Sequence, residues 1–420
     1  MHVDSGDTAW LLGSAALVLF MTPGLALFYG GMIRSKNVLA MMVANLGTIA
    51  VVSIVWAVIA YSLAFGPDVG NGFLGGLKFA GLGHATAQVP GFNLTVPAPA
   101  FAAFQMMFAV ITAALLTGTA AERAKFGGFL VFAVVWTIVV YAPIAHWVFS
   151  PTGWLAQRGV LDFAGGNVVE INSGASALAL AFVLGRRRGW PREAIAPHSL
   201  PLTVMGAGIL WFGWFGFNAG SALTSGALAS QALVGTQLAA CGGLLTWCLV
   251  EKLRTGHVTT LGAASGAVCG LVAITPAAGF VNSMAAILIG AIGGVVGVYA
   301  VSAKFRAGYD DALDVVGVHG ACGLAGTLLV GVFASRVVNP GIHYTGLVDG
   351  GGLHLLGVQA LAAATSIGWA FCGTWLIATA VQRTIGLRVA EEHEVEGLDT
   401  ALHAESAYDF SNVRAGRIGL

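Results

Sequence analysis

The sequence predicts an all-α polytopic membrane protein with eleven transmembrane helices, and three observations carry that prediction. Hydrophobic residues make up 57% of the 420 residues and charged residues only 9%, against about 25% charged in soluble proteins. Apolar runs of about 20 residues, the length that crosses a bilayer, recur along the chain. Many glycines lie four residues apart, as in Gly262, Gly266 and Gly270, a spacing that lets membrane helices approach closely.

Eleven apolar runs are candidates for membrane spans. The first five runs form a predicted first repeat (9–184), the next five a second repeat (200–334), and the last a single eleventh helix. Residues 1–381 are thus one transmembrane domain, and residues 382–420 are a cytoplasmic tail. The predicted spans are 9–29, 38–64, 98–119, 128–149, 163–184, 200–217, 231–250, 259–275, 284–303, 315–334 and 355–381.

Lysine and arginine predict the orientation, because cytoplasmic loops of membrane proteins carry an excess of both. If the N-terminus is outside, only Lys78, Arg158 and Arg336 of the 19 basic residues lie on the outer side. We therefore expect a multi-pass protein of the cell membrane, with its N-terminus outside and its C-terminus in the cytoplasm.

A short correspondence indicates that the two sets of five spans are inverted repeats. Asp162 precedes Glu170 by eight residues, and Asp311 precedes His319 by eight residues. The fifth and tenth spans enter the membrane from opposite faces, so equivalent residues lie at equal depths from those faces. Glu170 and His319 can therefore meet only near the middle of the membrane.

Glu170 and His319 are the candidate functional pair. A charged side chain at the centre of a membrane helix costs about 2.5–3.5 kcal/mol on insertion scales, so a carboxylate there needs a reason. A buried acid and base in contact titrate as a unit and can accept, hold or relay a proton. A structural hydrogen bond between two helices is the alternative.

Other residue patterns predict structural roles. Asp162 and Asp314 stand near the starts of their spans, where acidic side chains cap helices; substrate binding is the alternative for both. The five cysteines lie in apolar runs without a C-x-x-C pair, so neither disulfides nor zinc are predicted. We expect no cofactor and no metal. The formal net charge of zero gives no reason to expect nucleic acid as a partner.

Several stretches resemble the ammonium transporter family (Amt/Mep/Rh), and its bacterial or archaeal Amt branch in particular. The resemblance implies eleven helices with a 5+5 inverted repeat and a final helix, a homotrimer with one pore per subunit, and ammonium, ammonia or methylammonium as substrate. The matching stretches are Phe20–Arg34, Phe104–Phe108, Asp162–Val169, Gly213–Ser221, Asp314–Gly320, Gly386–Val389 and Glu396–Asp399.

The resemblance also implies roles along a pore. Phe108 and Phe217 match the stacked gate below the outer vestibule, and Trp214 and Ser221 match residues around the site that recruits ammonium. Phe149 stands where the family often has a vestibule tryptophan. A phenylalanine keeps the aromatic face that attracts a cation but lacks the indole N–H donor.

The departure from the family is Glu170. His319 matches the second of two pore histidines, and Glu170 takes the place of the first, as in part of the fungal branch. The implied function is capture of NH₄⁺ outside, loss of a proton at the Glu–His pair, relay of that proton and passage of NH₃. Passage of intact NH₄⁺ and an ammonium sensor with a separate partner are the alternatives. An enzyme has little support, because no nucleophile, metal constellation or phosphate loop accompanies the pair.

The charged tail around Arg388 and Glu391 has two readings. It is either a solvated chain end or, as in the family, a docking element for a PII-type signal protein.

Overall fold

A computed structural model describes residues 3–83, 88–193 and 195–409 of the protein. Within these ranges every regular element is a helix, apart from two isolated β-bridges, which confirms the predicted all-α membrane fold. The last eleven residues of the predicted tail, 410–420, lie outside the described ranges. They include Arg414 and Arg417, two of the residues used to predict the orientation.

The described residues contain eleven apolar helices in the predicted order. Ten are long and apolar enough to cross a membrane. The eighth has 15 residues, or about 22 Å at 1.5 Å per residue, and is almost completely buried between its neighbours. The helices are α1 (Ser5–Met32), α2 (Ser35–Phe65), α3 (Ala98–Ala120), α4 (Phe126–Phe149), α5 (Gly166–Leu184), α6 (Leu200–Gly220), α7 (Ala227–Thr255), α8 (Thr260–Ile274), α9 (Ser283–Ala307), α10 (Val316–Phe333) and α11 (His354–Thr384).

Most helices extend further than the apolar runs that predicted them. Helix α7 was predicted as 231–250 and α9 as 284–303, yet α7 continues to Thr255 and α9 to Ala307. Hydropathy stops at the first charged residues, whereas the backbone hydrogen bonds continue for another turn. Helix α5 instead begins three residues later than predicted, because Gly165 has a left-handed backbone conformation (φ 116°).

Helices α5 and α10 both begin with a π-helical segment. These segments cover Gly166–Ile171 and Val316–Ala321, and they contain Glu170 and His319. Such wide turns occur mostly as single insertions in α-helices and frequently mark functional sites. Both candidate residues of the pair therefore lie on backbone that departs from the regular α-helix.

The two helices approach closely through glycines. A Cβ atom on Gly174 of α5 would overlap the backbone of Gly320 in α10, and one on Gly323 would meet the Glu170 side chain. Small residues at a crossing let membrane helices come together with little side-chain volume between them. This close crossing brings the start of α5 against the start of α10.

The tail folds back onto the helices of its own chain. After α11 it forms two short helices, α12 (Glu391–Glu396) and α13 (Leu398–His403). Asp399 accepts hydrogen bonds from the backbone amides of Leu39 (3.1 Å) and Ala40 (2.8 Å) near the start of α2. The described part of the tail is thus packed against the transmembrane domain.

Candidate functional site

Glu170 and His319 are in direct contact. His319 Nδ1 lies 2.7 Å from Glu170 Oε2, and the two residues are only 1% and 5% exposed. The donor and acceptor in this bond depend on the histidine tautomer and on where the shared proton sits. The inverted repeat allowed the two residues to meet only near the middle of the membrane, and in the structure they are in contact.

The pair faces an apolar pocket of about 360 Å³, which we call the central pocket. Apart from the pair, its described lining has one polar group, the Trp214 indole N–H, and this donates to Thr275 Oγ1 (2.9 Å). The central pocket is lined by Met21, Leu25, Phe28, Ile111, Leu115, Val169, Glu170, Leu210, Trp214, Phe217, Val268 and His319. A cation here could be stabilised by Glu170, and a neutral molecule would need few polar partners.

Phe108 and Phe217 close one end of the central pocket. Their ring centroids are 4.2 Å apart and their planes differ by 15°, and both side chains are buried. Trp214 lies beside Phe217, with 5.7 Å between ring centroids, and it lines the central pocket rather than the outer cavity, where the resemblance had led us to expect it. An aromatic pair contributes about 0.5–1.5 kcal/mol beyond its buried area, which adds to the stability of this stacked arrangement.

A second cavity, of about 480 Å³, lies on the other side of the phenylalanine pair. We call it the outer cavity, after the side predicted from the basic residues. Phe149, in the wall of this cavity, packs edge to face against Phe108, with 6.4 Å between the ring centroids. Ser221 Oγ donates to the Phe217 carbonyl (2.8 Å), so its lone pairs remain available as acceptors. Phe149, Phe163, Phe92, Val148, Leu223, Gln105, Asp162 and Ser221 line this cavity.

Asp162 caps the start of α5. Its Oδ1 accepts from the amides of Gly165 (2.8 Å) and Gly166 (2.6 Å), and its Oδ2 accepts from that of Asn167 (2.7 Å). Three such bonds hold the carboxylate in one orientation and satisfy amides that the helix leaves free. Asp162 therefore positions the segment that contains Glu170.

Asp311, and not Asp314, has the place before α10 that Asp162 has before α5. Asp311 Oδ2 accepts from the amide of Val316 (2.7 Å), five residues on, as Asp162 does from Asn167. The prediction that Asp314 caps this helix is wrong: its carboxylate accepts from Lys304 Nζ (2.5 Å). Asp314 has a left-handed backbone (φ 64°), and the adjacent ammonium group provides a stronger partner than a backbone amide.

Gln105 is a site residue that the sequence argument missed. It lines the outer cavity one turn before Phe108, is 7% exposed, and its Oε1 has no hydrogen-bond partner among the described residues. A buried unsatisfied carbonyl oxygen costs about 1–3 kcal/mol, and one in a cavity wall has room for a donor. The signal was present, since Gln105 lies inside the matched stretch Phe104–Phe108.

A third cavity, which we call the inner cavity, has a volume of about 750 Å³. Phe28 lines the central pocket and Met32 the inner cavity, so the two lie one turn apart along α1. The inner cavity is lined by Met32, Arg187, Trp190, Pro191, Glu193, Ile195, Pro197, Leu261, Lys304, Phe305, Ala312, Leu313 and Asp314. Outer cavity, phenylalanine pair, central pocket and inner cavity thus follow one another through the helices.

In the part of the chain that is described, no group of three His, Cys, Asp or Glu residues could hold a metal ion.

The chain is similar to known proteins along nearly its whole length. The family model described as Ammonium Transporter Family matches residues 9–408. An ammonium transporter from Mycobacterium tuberculosis is 48% identical over 97% of this chain and 91% of its own length.

Two solved structures align with nearly the whole chain. Candida albicans Mep2 aligns with a TM-score of 0.87 and 38% identity, over 93% of this chain and 88% of its own. A protein titled Sensor Amt Protein aligns with a TM-score of 0.86 and 29% identity, over 94% of this chain and 98% of its own. The sequence match along the whole chain, together with the helical fold, establishes that this protein belongs to the ammonium transporter family.

Proposed function

We propose that this ammonium transporter binds NH₄⁺ in the outer cavity, removes a proton at the Glu170–His319 pair, and conducts NH₃ through the central pocket. Methylammonium is a second substrate in this proposal. The observation that carries it is the 2.7 Å contact between Glu170 and His319 in the wall of a pocket that is otherwise almost wholly apolar. Family membership supports transport, and no enzyme activity is proposed.

The outer cavity contains groups that can bind a cation: aromatic rings, a hydroxyl oxygen and a carboxylate. Aromatic rings in its wall, such as Phe149, attract a cation by up to about 2 kcal/mol when the cation is desolvated. Ser221 Oγ is committed as a donor to a carbonyl and keeps its lone pairs as acceptors. Asp162 adds negative charge at the cavity wall, although three backbone amides already bind its oxygens.

The central pocket favours ammonia over ammonium. Moving an unpaired charge from water to an apolar environment is far more costly than moving a neutral hydrogen-bonding molecule. Ionised Glu170 is an acceptor and not a donor of hydrogen bonds, so it can receive the proton directly or through His319. The proton then belongs to the pair, and the neutral molecule continues along the apolar wall.

Currents across liposome membranes test the proposal. Wild-type protein should carry ammonium-driven current but no substantial K⁺ current, because K⁺ has no proton to surrender. A large K⁺ current would favour passage of intact NH₄⁺ instead. Glu170→Gln, which keeps the shape and a hydrogen bond to His319, should abolish the proton-coupled current. An unchanged current with unchanged pH dependence would remove Glu170 from the mechanism.

Glu170→His is the matched comparison. It creates the histidine pair that the family commonly has, so its current, measured across the same pH range, isolates the effect of the carboxylate. We expect the pH dependence of the current to differ between the two proteins, because imidazole and carboxylate bind protons over different ranges.

The sensor alternative has less support. The relative at 48% identity is named as a transporter, whereas the structure titled as a sensor is 29% identical. Measured uptake of ammonium by the purified protein would favour transport directly. Signalling without uptake would favour the sensor.

The wider architecture is also part of the proposal. We place the N-terminus outside, the C-terminus in the cytoplasm and the protein in the cell membrane, as a homotrimer with one pore per subunit and a 5+5 inverted repeat. The parallel between Asp162 before α5 and Asp311 before α10 supports the repeat.

For the tail we propose docking of a PII-type signal protein. A binding assay with the cognate PII protein, with and without residues 383–420, tests this role. Equal binding by both forms would contradict a role of the tail in PII docking.

A further inference from the structure

Lys304 is held in the wall of the inner cavity in an unusual way. It lies in the last turn of α9, yet its side chain is only 9% exposed, and lysine is rarely so buried without a partner. Its Nζ donates to Asp314 Oδ1 (2.5 Å) and to the Asp311 carbonyl (2.9 Å). The ammonium group also lies 5.4 Å from the ring centroid of Phe305.

These partners form a binding site for an ammonium ion. A carboxylate, a backbone carbonyl and an aromatic ring each stabilise an N–H-bearing cation, the first two by hydrogen bonds and the third through its π-face. The primary ammonium at the end of a lysine side chain has three N–H donors and differs from NH₄⁺ by one carbon substituent. The protein's own cation thus fills a place that fits its substrate.

Among the carboxylates around the inner cavity, Asp314 is the one whose side chain contacts Lys304. The side chain of Asp311 accepts from Thr119 and from the Val316 amide. Arg187, which also lines the cavity, is bonded to Asp310 and Glu122. Glu193, the other carboxylate of the described cavity wall, is exposed, so the Lys304–Asp314 pair is the more buried place where a mobile ion could bind.

The location gives the pair a role in transport. Asp314 precedes His319 by five residues at the start of α10, and the inner cavity follows the central pocket along α1. An ammonium ion that entered from the cytoplasmic side would meet these acceptors before it reached the pore.

We propose that the inner cavity contains an ammonium-binding site that Lys304 occupies, which keeps cytosolic ammonium from binding next to the pore exit. The inference rests on the proposed function, because it assumes that ammonia leaves through this cavity. A bound ion at the exit would stand in the path of the departing molecule. The lysine leaves the driving force for transport unchanged and alters only the occupancy of the exit.

Direct binding tests the site without relying on transport. Lys304→Met removes the resident cation and leaves both acceptors, whereas Lys304→Met combined with Asp314→Asn removes the carboxylate as well. Thermal unfolding of the purified proteins would be followed during titration with ammonium chloride, against sodium chloride at equal ionic strength. We expect Lys304→Met to gain an ammonium-specific stabilisation, half-maximal at a concentration at least about tenfold below that of the wild type, and the double variant to lose it.

Two results would overturn the site. One is a folded Lys304→Met protein that responds to ammonium as the wild type does; the other is an equal response to sodium. If Lys304→Met does not yield folded protein, Lys304→Gln, which is also uncharged but keeps a polar end, takes its place in the same titration. Lys304→Arg retains a cation and should behave as the wild type.

A transport measurement tests the consequence. Ammonium chloride on the side of the C-terminal tail should inhibit inward current through Lys304→Met at a concentration at least about tenfold lower than through the wild type. Equal inhibition of both proteins would contradict the proposed consequence. A wild type without any ammonium-driven current would instead contradict the proposed function, while the titration would still decide whether the site exists.

Discussion

At the scale of single residues, the proposed chemistry depends on a carboxylate, Glu170, at the place where the family resemblance led us to expect an imidazole. Neutral imidazole offers one donor and one acceptor, whereas an ionised carboxylate only accepts. With Glu170 next to His319, the pair can hold a proton between two bases of different kinds. The sequence was sufficient to identify this pair. A carboxylate in an apolar run, such as Glu170, is rare and costly, and the repeat then pointed to His319.

Gln105 provides a second test at the residue scale. Gln105→Leu keeps most of the side-chain volume and removes the buried carbonyl oxygen that faces the outer cavity. If that oxygen accepts from the incoming cation, its loss removes a hydrogen bond to a charged group, about 1.5–3 kcal/mol. We expect the half-saturating ammonium concentration to rise at least about tenfold, while the maximal rate changes little.

Saturation curves for ammonium and methylammonium in liposomes check this expectation. Leu223→Met alters an apolar residue of the same cavity and serves as the control for a general change in its shape. The role of Gln105 in binding would be contradicted if Gln105→Leu lowered the maximal rate with no change in the half-saturating concentration.

At the scale of helices, the apolar runs predicted every membrane helix but not how the helices begin. Hydropathy integrates over about 20 residues, so it locates a span and misses a local change of backbone. The π-helical starts of α5 and α10 and the exchange of Asp314 for Asp311 as the cap are accompanied by a few local hydrogen bonds each. The inner cavity could not be predicted either, because it depends on contacts of Lys304 with Asp311 and Asp314, which lie in the segment between α9 and α10.

A buried network of charges joins the ends of several helices. Glu122, between α3 and α4, accepts from Arg34 Nη2 (2.9 Å) and Arg187 Nη1 (3.1 Å). Arg187 and Arg123 both donate to Asp310, which precedes α10. Burial alone would raise the pKa of Glu122, but Arg187 and Arg34 outweigh it and hold the pKa below its usual value of 4.5.

Glu122→Gln should therefore destabilise the protein markedly. Removing one partner of a buried ion pair typically costs about 3–5 kcal/mol, since the other charge is left uncompensated. Because the folded pKa of Glu122 is lowered, its contribution is fully present above pH 4.5 and is lost as the pH falls through the folded pKa. Thermal unfolding in detergent across this range should show a lower midpoint for Glu122→Gln at neutral pH and a smaller difference in acid.

Glu193→Gln is the control for this measurement, because Glu193 is exposed near the same ends of the helices. A midpoint for Glu122→Gln equal to that of the wild type at neutral pH would mean that the network contributes little to stability.

At the scale of the whole molecule, the tail contacts both the end of α5 and the start of α2. Arg388 donates to Glu394 Oε1 (2.6 Å) within the tail and to the Leu184 carbonyl at the end of α5 (2.6 Å). Asp399 binds the start of α2. The sequence marked this stretch only as polar and charged, because packing between residues more than 200 positions apart leaves no periodic pattern.

Loss of the Asp399 carboxylate should release the tail without unfolding the membrane helices. Asp399 is 2% exposed, and removing a side chain that caps a helix costs about 0.5–2 kcal/mol, so Asp399→Ala should raise the opening of α12 and α13 about two- to thirtyfold. Hydrogen exchange of residues 391–403 in the purified protein measures this directly. Glu396→Ala, a change at an exposed acid of the same segment, should leave the exchange unchanged. If both variants exchanged at the wild-type rate, the contact with α2 would not be what holds the tail, and the bonds of Arg388 would be the next to remove.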